Sequence, residues 1–257
     1  MSFQQKIISA CLAVTTLGLV ACSLPFVSER EIAVESKAEF EKMKAAMPIE
    51  TDAATRAYVF CVTQAIINEL EPPYSDLDWE IEIFDDKEMV NAFAMTGGKI
   101  GVFTGILDVA KTEDQFAAVM GHEVAHVTEQ HALERVNREI TTQGAAIAGA
   151  AVIGGGIAGD LVQIGAQLGL SLPYGRKQES EADTVGLSYM ADAGFDPRAS
   201  VQLWKNMEEK SGGGPPQFIS THPSPGNRIE KLIENLPAAL IRYNKAKALN
   251  KTPRCSY

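Results

Sequence analysis

The sequence predicts an α+β protein, predominantly helical, with one small β-sheet. Three observations carry that expectation. Apolar residues recur at helical spacing in several long segments that open on capping signals, clearest after Thr112. Trp79-Glu80-Ile81-Glu82-Ile83-Phe84 alternates strictly, as a half-buried strand does. Gly97-Gly98 folds a second extended stretch into a hairpin.

Residues 1–21 read as a targeting segment and stand apart from the fold. Lys6 is the only charged side chain before a run from Ile7 to Ala21, which is too short for an ordinary membrane span. The run ends Leu19-Val20-Ala21-Cys22-Ser23, which resembles the lipobox of bacterial lipoprotein precursors. That likeness implies cleavage before Cys22, lipidation of its thiol, and, with Ser23 rather than Asp next, sorting to the periplasm-facing side of the outer membrane. Residues 22–47 read as a tether, helical only from Lys37 to Ala46.

Residues 48–240 then form one domain. Asp52 caps a helix through Leu70 with Tyr58, Val59, Val62, Ile66 and Ile67 on its apolar side, and Pro72-Pro73 stops it. The alternating strand follows, turning at Asp85-Asp86. The hairpin runs Asn91 to Met95, then Gly97-Gly98, then Lys99 to Thr104. Thr112-Glu113-Asp114-Gln115 is a capping box opening a helix to about Arg138. Residues 144–172 are small and apolar but interrupted by Asp160, Gln163 and Gln167; they read as an irregular helical segment over the site, with a membrane-dipping plug as the alternative. A helix from Gln178 closes at Gly194, Asp196-Pro197 starts the next, and Gly212 to Pro216 is a break. A last helix spans Pro225 to Leu236, leaving residues 241–257 as a polar tail.

The formal charge of −10 over 257 residues excludes nucleic acid as a partner, since neutralising phosphates needs clustered Lys and Arg. Cleavage before Cys22 removes Cys11 and commits Cys22 to lipid. Cys61 and Cys255 are then left to pair in an oxidising compartment; the alternative for Cys61 is a small buried hydrophobe.

His122-Glu123-Val124-Ala125-His126 carries the chemistry. Imidazoles at i and i+4 project from one helix face and can reach one Zn²⁺. Glu123, about 60° round the helix from His126, sits beside the metal rather than on it, placed to act as general base towards water. In chains holding four histidines, this pattern arises by chance in fewer than about 1% of cases. On a helix continuous to Arg138, His131 lies about 180° from His122 and reads as a core or rim histidine. A catalytic site needs a third ligand and an open position. Arg176-Lys177-Gln178-Glu179-Ser180-Glu181-Ala182-Asp183 offers one: Glu179 and Asp183 share a helix face, whereas Glu181 points about 160° away. One carboxylate can bind metal while Asp183 orients a ligand histidine.

With those motifs, the chain resembles the gluzincin metallopeptidase family of the CAAX prenyl protease, HtpX and Oma type. Within it the likeness is nearest to the periplasmic lipoprotein proteases, both the low-osmolarity-induced and the β-barrel-assembly-enhancing kinds. The resemblance spans Asn91 to Leu236, through Asn91-Ala92-Phe93-Ala94, Gly97-Gly98, His122 to His126, Glu179 to Asp183, and Thr221-His222-Pro223 with Arg228. Gly175 is a variation, standing where relatives often carry serine. The resemblance implies a zincin-like fold, one zinc ion per chain on His122, His126 and Glu179, and a substrate-binding edge strand around Asn91, Ala92, Phe93, Gly97 and Gly98. It also implies a place for His222 beside the zinc, as an inhibitory latch or as an oxyanion donor assisted by Arg228; without it, His222 reads as a loop histidine before Pro223. The function expected is an envelope endopeptidase acting on envelope or outer-membrane proteins, with the outer-membrane assembly machinery as a partner. The alternative is a periplasmic chaperone with gated proteolysis.

Overall fold

The computed structural model describes residues 27–150, 174–210, 217–223 and 226–255. The signal segment with Cys22, most of residues 144–172 and the Gly212 to Pro216 break lie outside the described residues.

The first element, α1 (Glu29–Ala46), corrects the tether. Ser28 and Glu31 close a capping box at its start, and Ile32, Ser36, Phe40, Met43 and Met47 fall along one helix face. Phe40 on that face is fully buried, so the helix belongs to the body of the protein. The charged residues around this thin stripe hid it.

α2 (Ala53–Ile67) starts on Asp52, whose side chain accepts the Thr55 N–H at 2.8 Å. The sheet comprises β1 (Glu80–Phe84), β2 (Ala92–Met95) and β3 (Lys99–Phe103) in the order β1-β3-β2. β1 runs parallel to β3 and β2 antiparallel, with Met95 opposite Lys99. The hairpin connection is therefore Thr96-Gly97-Gly98, three residues rather than the expected glycine pair. Both glycines sit at positive φ, +90° and +82°, where a side chain is strained. One face of the sheet gives Ile81, Ile83, Ala92, Ala94, Ile100 and Val102 to the main core with α2 and the helices that follow. The other gives Phe84, Phe93, Met95 and Phe103 to an aromatic cluster beneath Phe40.

Thr112 caps α3 (Glu113–Thr128) by accepting the Gln115 N–H at 3.2 Å. The Gln115 side chain accepts from Lys111 N–H instead of closing the box. The helix expected to reach Arg138 stops at Thr128. Gln130 takes φ 55°, and α4 (His131–Ala150) begins on a new axis. Then come α5 (Arg176–Asp192), α6 (Ala199–Lys210), α7 (Gln217–Thr221) and α8 (Arg228–Ala248). α8 continues through Pro237, so residues 241–248 are helical rather than a polar tail. Beyond it, Cys255 joins Cys61 of α2 in a disulfide, and Cys255 N–H donates to Glu113 at the start of α3. Among the described residues, no helix is long and apolar enough to cross a membrane.

Candidate metal centre

The centre is built where α3 crosses α5. A Cβ added at Gly121 would lie 2.6 Å from the Gly186 carbonyl oxygen, and one at Gly186 would lie 2.6 Å from His122 N. Only hydrogen at both positions lets the two backbones touch. That approach carries Glu179 and Asp183 of α5 under the imidazoles of α3. Neither glycine is legible as a site residue from sequence alone.

Ligand atoms of His122, His126, Glu179 and His222 all lie within 4.8 Å of one another, and all four residues are buried. His122 Nε2 and His126 Nε2 are 3.0 Å apart. Glu179 reaches them at 3.5 and 3.4 Å. Asp183 lies 3.0 Å from His122 Nδ1 and, as a carboxylate, can only accept, so the His122 proton sits on Nδ1 and its Nε2 lone pair faces the cluster. His126 Nδ1 meets His131 Nδ1 at 2.9 Å, which likewise leaves His126 Nε2 facing inward. Two lone pairs facing each other, beside a Glu179 Oε2 buried without a hydrogen-bond partner, fit a shared cation. Two imidazoles and a carboxylate are also a donor set that zinc takes at catalytic sites.

The electrostatics favour the neutral ligand form at His126, while His122 holds a second proton that a cation at its Nε2 would have to displace. Burial pushes the His126 ring well below the usual imidazole range, towards the neutral form that binds metal. Burial also presses on His122, but Asp183 and Glu179 outweigh it and raise this ring to about 9. Glu179 is held far down the carboxylate range, the three histidines overcoming its burial. Glu123 is raised by burial. Its Oε2 accepts the Ala94 N–H at 3.2 Å, and its Oε1 lies 3.4 Å from His222 Nε2.

His222 and Arg228 are both expected beside the metal. His222 lies beside the candidate ligands, the place that the resemblance implies, and not on a surface loop: it is 2% exposed, its N–H continues the turn of α7 to Phe218 O at 2.8 Å, and its Nδ1 lies 3.2 Å from both His122 Nε2 and Glu179 Oε1. Arg228 is not among the residues lining the cleft and reaches the Nδ1 side of His122 instead. It donates to Asp183 at 2.6 Å, lies 3.2 Å from Glu179 Oε2, and stacks 3.4 Å above the Trp204 ring centroid. It is a positioning residue behind His122.

Sequence reasoning missed two more. The break at Gln130 swings His131 back onto His126, and Tyr174 stacks on the His126 ring at 3.8 Å. β2 lies at the sheet edge with the Ala94 N–H turned from β3 to Glu123, so Asn91, Ala92 and Phe93 line the cleft. Gly97 and Gly98 do not line it; they shape the turn beneath α1 and Trp79.

Residues 53–236 match the model of peptidase family M48. The chain belongs to that family. It is similar to the mitochondrial metalloendopeptidase OMA1 of Schizosaccharomyces pombe, 39% identical over 69% of this chain and 52% of that protein. The human mitochondrial metalloendopeptidase OMA1 is 33% identical over 80% of this chain and 42% of its own length. The β-barrel assembly-enhancing protease of Yersinia pestis is 25% identical over 73% and 40%. The chain thus spans about half the length, or less, of these curated relatives. The M48 match takes in α2 through the first part of α8 and leaves α1 outside it.

Proposed function

We propose that this M48 chain is a zinc-dependent endopeptidase of the bacterial cell envelope, held by lipid on Cys22 at the outer membrane and cutting envelope or outer-membrane proteins in quality control. The observation that supports the peptidase reading is Glu123, buried beside the candidate ligands and tied to the edge strand. His122, His126 and Glu179 would hold the zinc, which would supply Lewis acidity to polarise a peptide carbonyl and ease deprotonation of a water. The remaining work falls to the chain. Glu123, raised by burial, is suited to take a proton and return it to the leaving amine. β2 offers an extended edge to a peptide backbone. Asp183 and Arg228 hold His122 in place.

The location rests on the Leu19-Val20-Ala21-Cys22 pattern, on the resemblance of the motifs to those of periplasmic lipoprotein proteases, and on a relative named for β-barrel assembly. Contact with the outer-membrane assembly machinery is part of the same proposal. Cys22→Ser should end lipid labelling and release the chain to the soluble periplasm; a wild-type chain already soluble and unlabelled overturns the location.

His222 is a latch in this reading. A catalytic zinc site keeps one position open, and the His222 ring stands among the other three ligands. His222→Ala should raise turnover of unfolded protein several-fold with zinc retained. A fall of about 100-fold would make His222 an oxyanion donor instead.

A further inference from the structure

Although α1 lies outside the family match, it walls the cleft that ends at Glu123. Between Ile32, Ser36 and Met43 on α1 and Phe93, Met95 and Phe103 on the sheet lies a cavity of about 180 Å³. Glu123 and His222 line the same cavity. An apolar cavity of about 150 Å³ is large enough to take up benzene, so this one has room for an aromatic ring or a leucine side chain. Arg135 also borders it, but its guanidinium is spent over the Tyr174 ring, 4.1 Å from the centroid.

The wall is fixed in place. Phe40 of α1 is fully buried against Phe84 and Phe93, each 6.4 Å away between ring centroids. Asn137 of α4 grips the chain just before α1, accepting the Val27 N–H at 2.9 Å and donating to the Val27 carbonyl at 3.1 Å. Lys44 pairs with Glu80 of β1. A side chain entering the cavity therefore meets a set depth.

We propose that this cavity is a side-chain pocket which selects a leucine- or phenylalanine-sized apolar residue of the substrate beside the bond that is cut, with α1 setting the pocket's size. The inference rests on the endopeptidase reading above and names the substrate class for it. A peptide backbone along β2 passes the mouth of the pocket on its way to Glu123, so one side chain flanking the cut must face α1.

The test uses the full chain carrying Glu123→Gln, loaded with zinc, and fluorescence anisotropy of paired eight-residue peptides that differ only in a central Phe or Ala. The Phe peptide should bind at least about 10-fold more tightly, as expected for burying an aromatic side chain. Ser36→Trp in the same protein fills the pocket and should bring the ratio close to one. Equal binding of the two peptides, or a ratio that survives Ser36→Trp, overturns the pocket. Since a tryptophan could disturb α1, methyl-labelled methionine NMR of the Glu123→Gln chain, with no substitution in the pocket, gives a second reading. The Met43 and Met95 methyl signals should move with the Phe peptide and stay with the Ala peptide; no movement at either overturns the proposal.

The two readings fail separately. If wild-type chain cuts no peptide while the Glu123→Gln chain still prefers Phe, the peptidase falls and the pocket stands. If it cuts peptides without regard to apolar side chains, the pocket falls and the peptidase stands.

Discussion

The two imidazoles of α3 are one helical turn apart and are steadied in opposite ways. His122 leans on charge: its Nδ1–H donates to Asp183 at 3.0 Å, and buried Arg228 holds Asp183 at 2.6 Å. His126 leans on uncharged neighbours: the His131 ring at 2.9 Å and the face of Tyr174 at 3.8 Å. The difference shows in their protonation, with His122 raised to about 9 and His126 driven well down by burial. One flank is electrostatic; the other is packing and shape. The carboxylate Glu179 stands between them and serves both rings.

Removing that shared carboxylate should have the largest effect. Glu179→Ala should abolish stoichiometric zinc binding, whereas Glu181→Ala should leave affinity within about twofold, because Glu181 stands outside the ligand cluster and approaches His131 at 3.6 Å, too long for a hydrogen bond. Equilibrium dialysis decides it, and the reverse outcome would reassign the third ligand. On the charged flank, Asp183→Asn leaves Arg228 buried with half its pairing gone. Zinc affinity should fall about 100-fold, and unfolding should cost about 3 kcal/mol less; a denaturant melt without a shift would mean that the charge on this flank does little.

Legibility in the sequence followed the same divide. The charged flank could be read because Glu179 and Asp183 are four apart on one helix and the motif fixes which face they share. The neutral flank could not. His131 was placed by assuming a helix continuous past Thr128, and a single residue, Gln130 at φ 55°, breaks that assumption and reverses the direction of the ring. Gln130 carries none of the usual marks of a helix end; glycine or asparagine would have shown it. Tyr174 reaches His126 only through tertiary packing, which no local spacing encodes. The same held for the larger fold. β1, the hairpin and the start of α3 followed period and caps, while α1 was hidden because charged residues surround its one buried stripe. α8 outruns its expected end at Leu236, because Pro237 is carried inside the helix.

The neutral flank should give the smaller response. His131→Leu removes the acceptor for His126 Nδ1 but keeps the volume, and should lower zinc affinity by about 10-fold with little change in stability. A loss as large as that of Asp183→Asn would erase the contrast between the flanks, and calorimetry on the two variants side by side would show it.

Both flanks serve one end, which is to hold a metal beside Glu123. The most direct measurement is therefore zinc content and peptide hydrolysis of Glu123→Gln in the same preparation. The account predicts one zinc per chain, as in the wild type, with hydrolysis reduced by about 100-fold or more, the scale expected when a general base is removed. A variant that hydrolyses peptides within tenfold of wild type, or one that has lost its zinc, would contradict it.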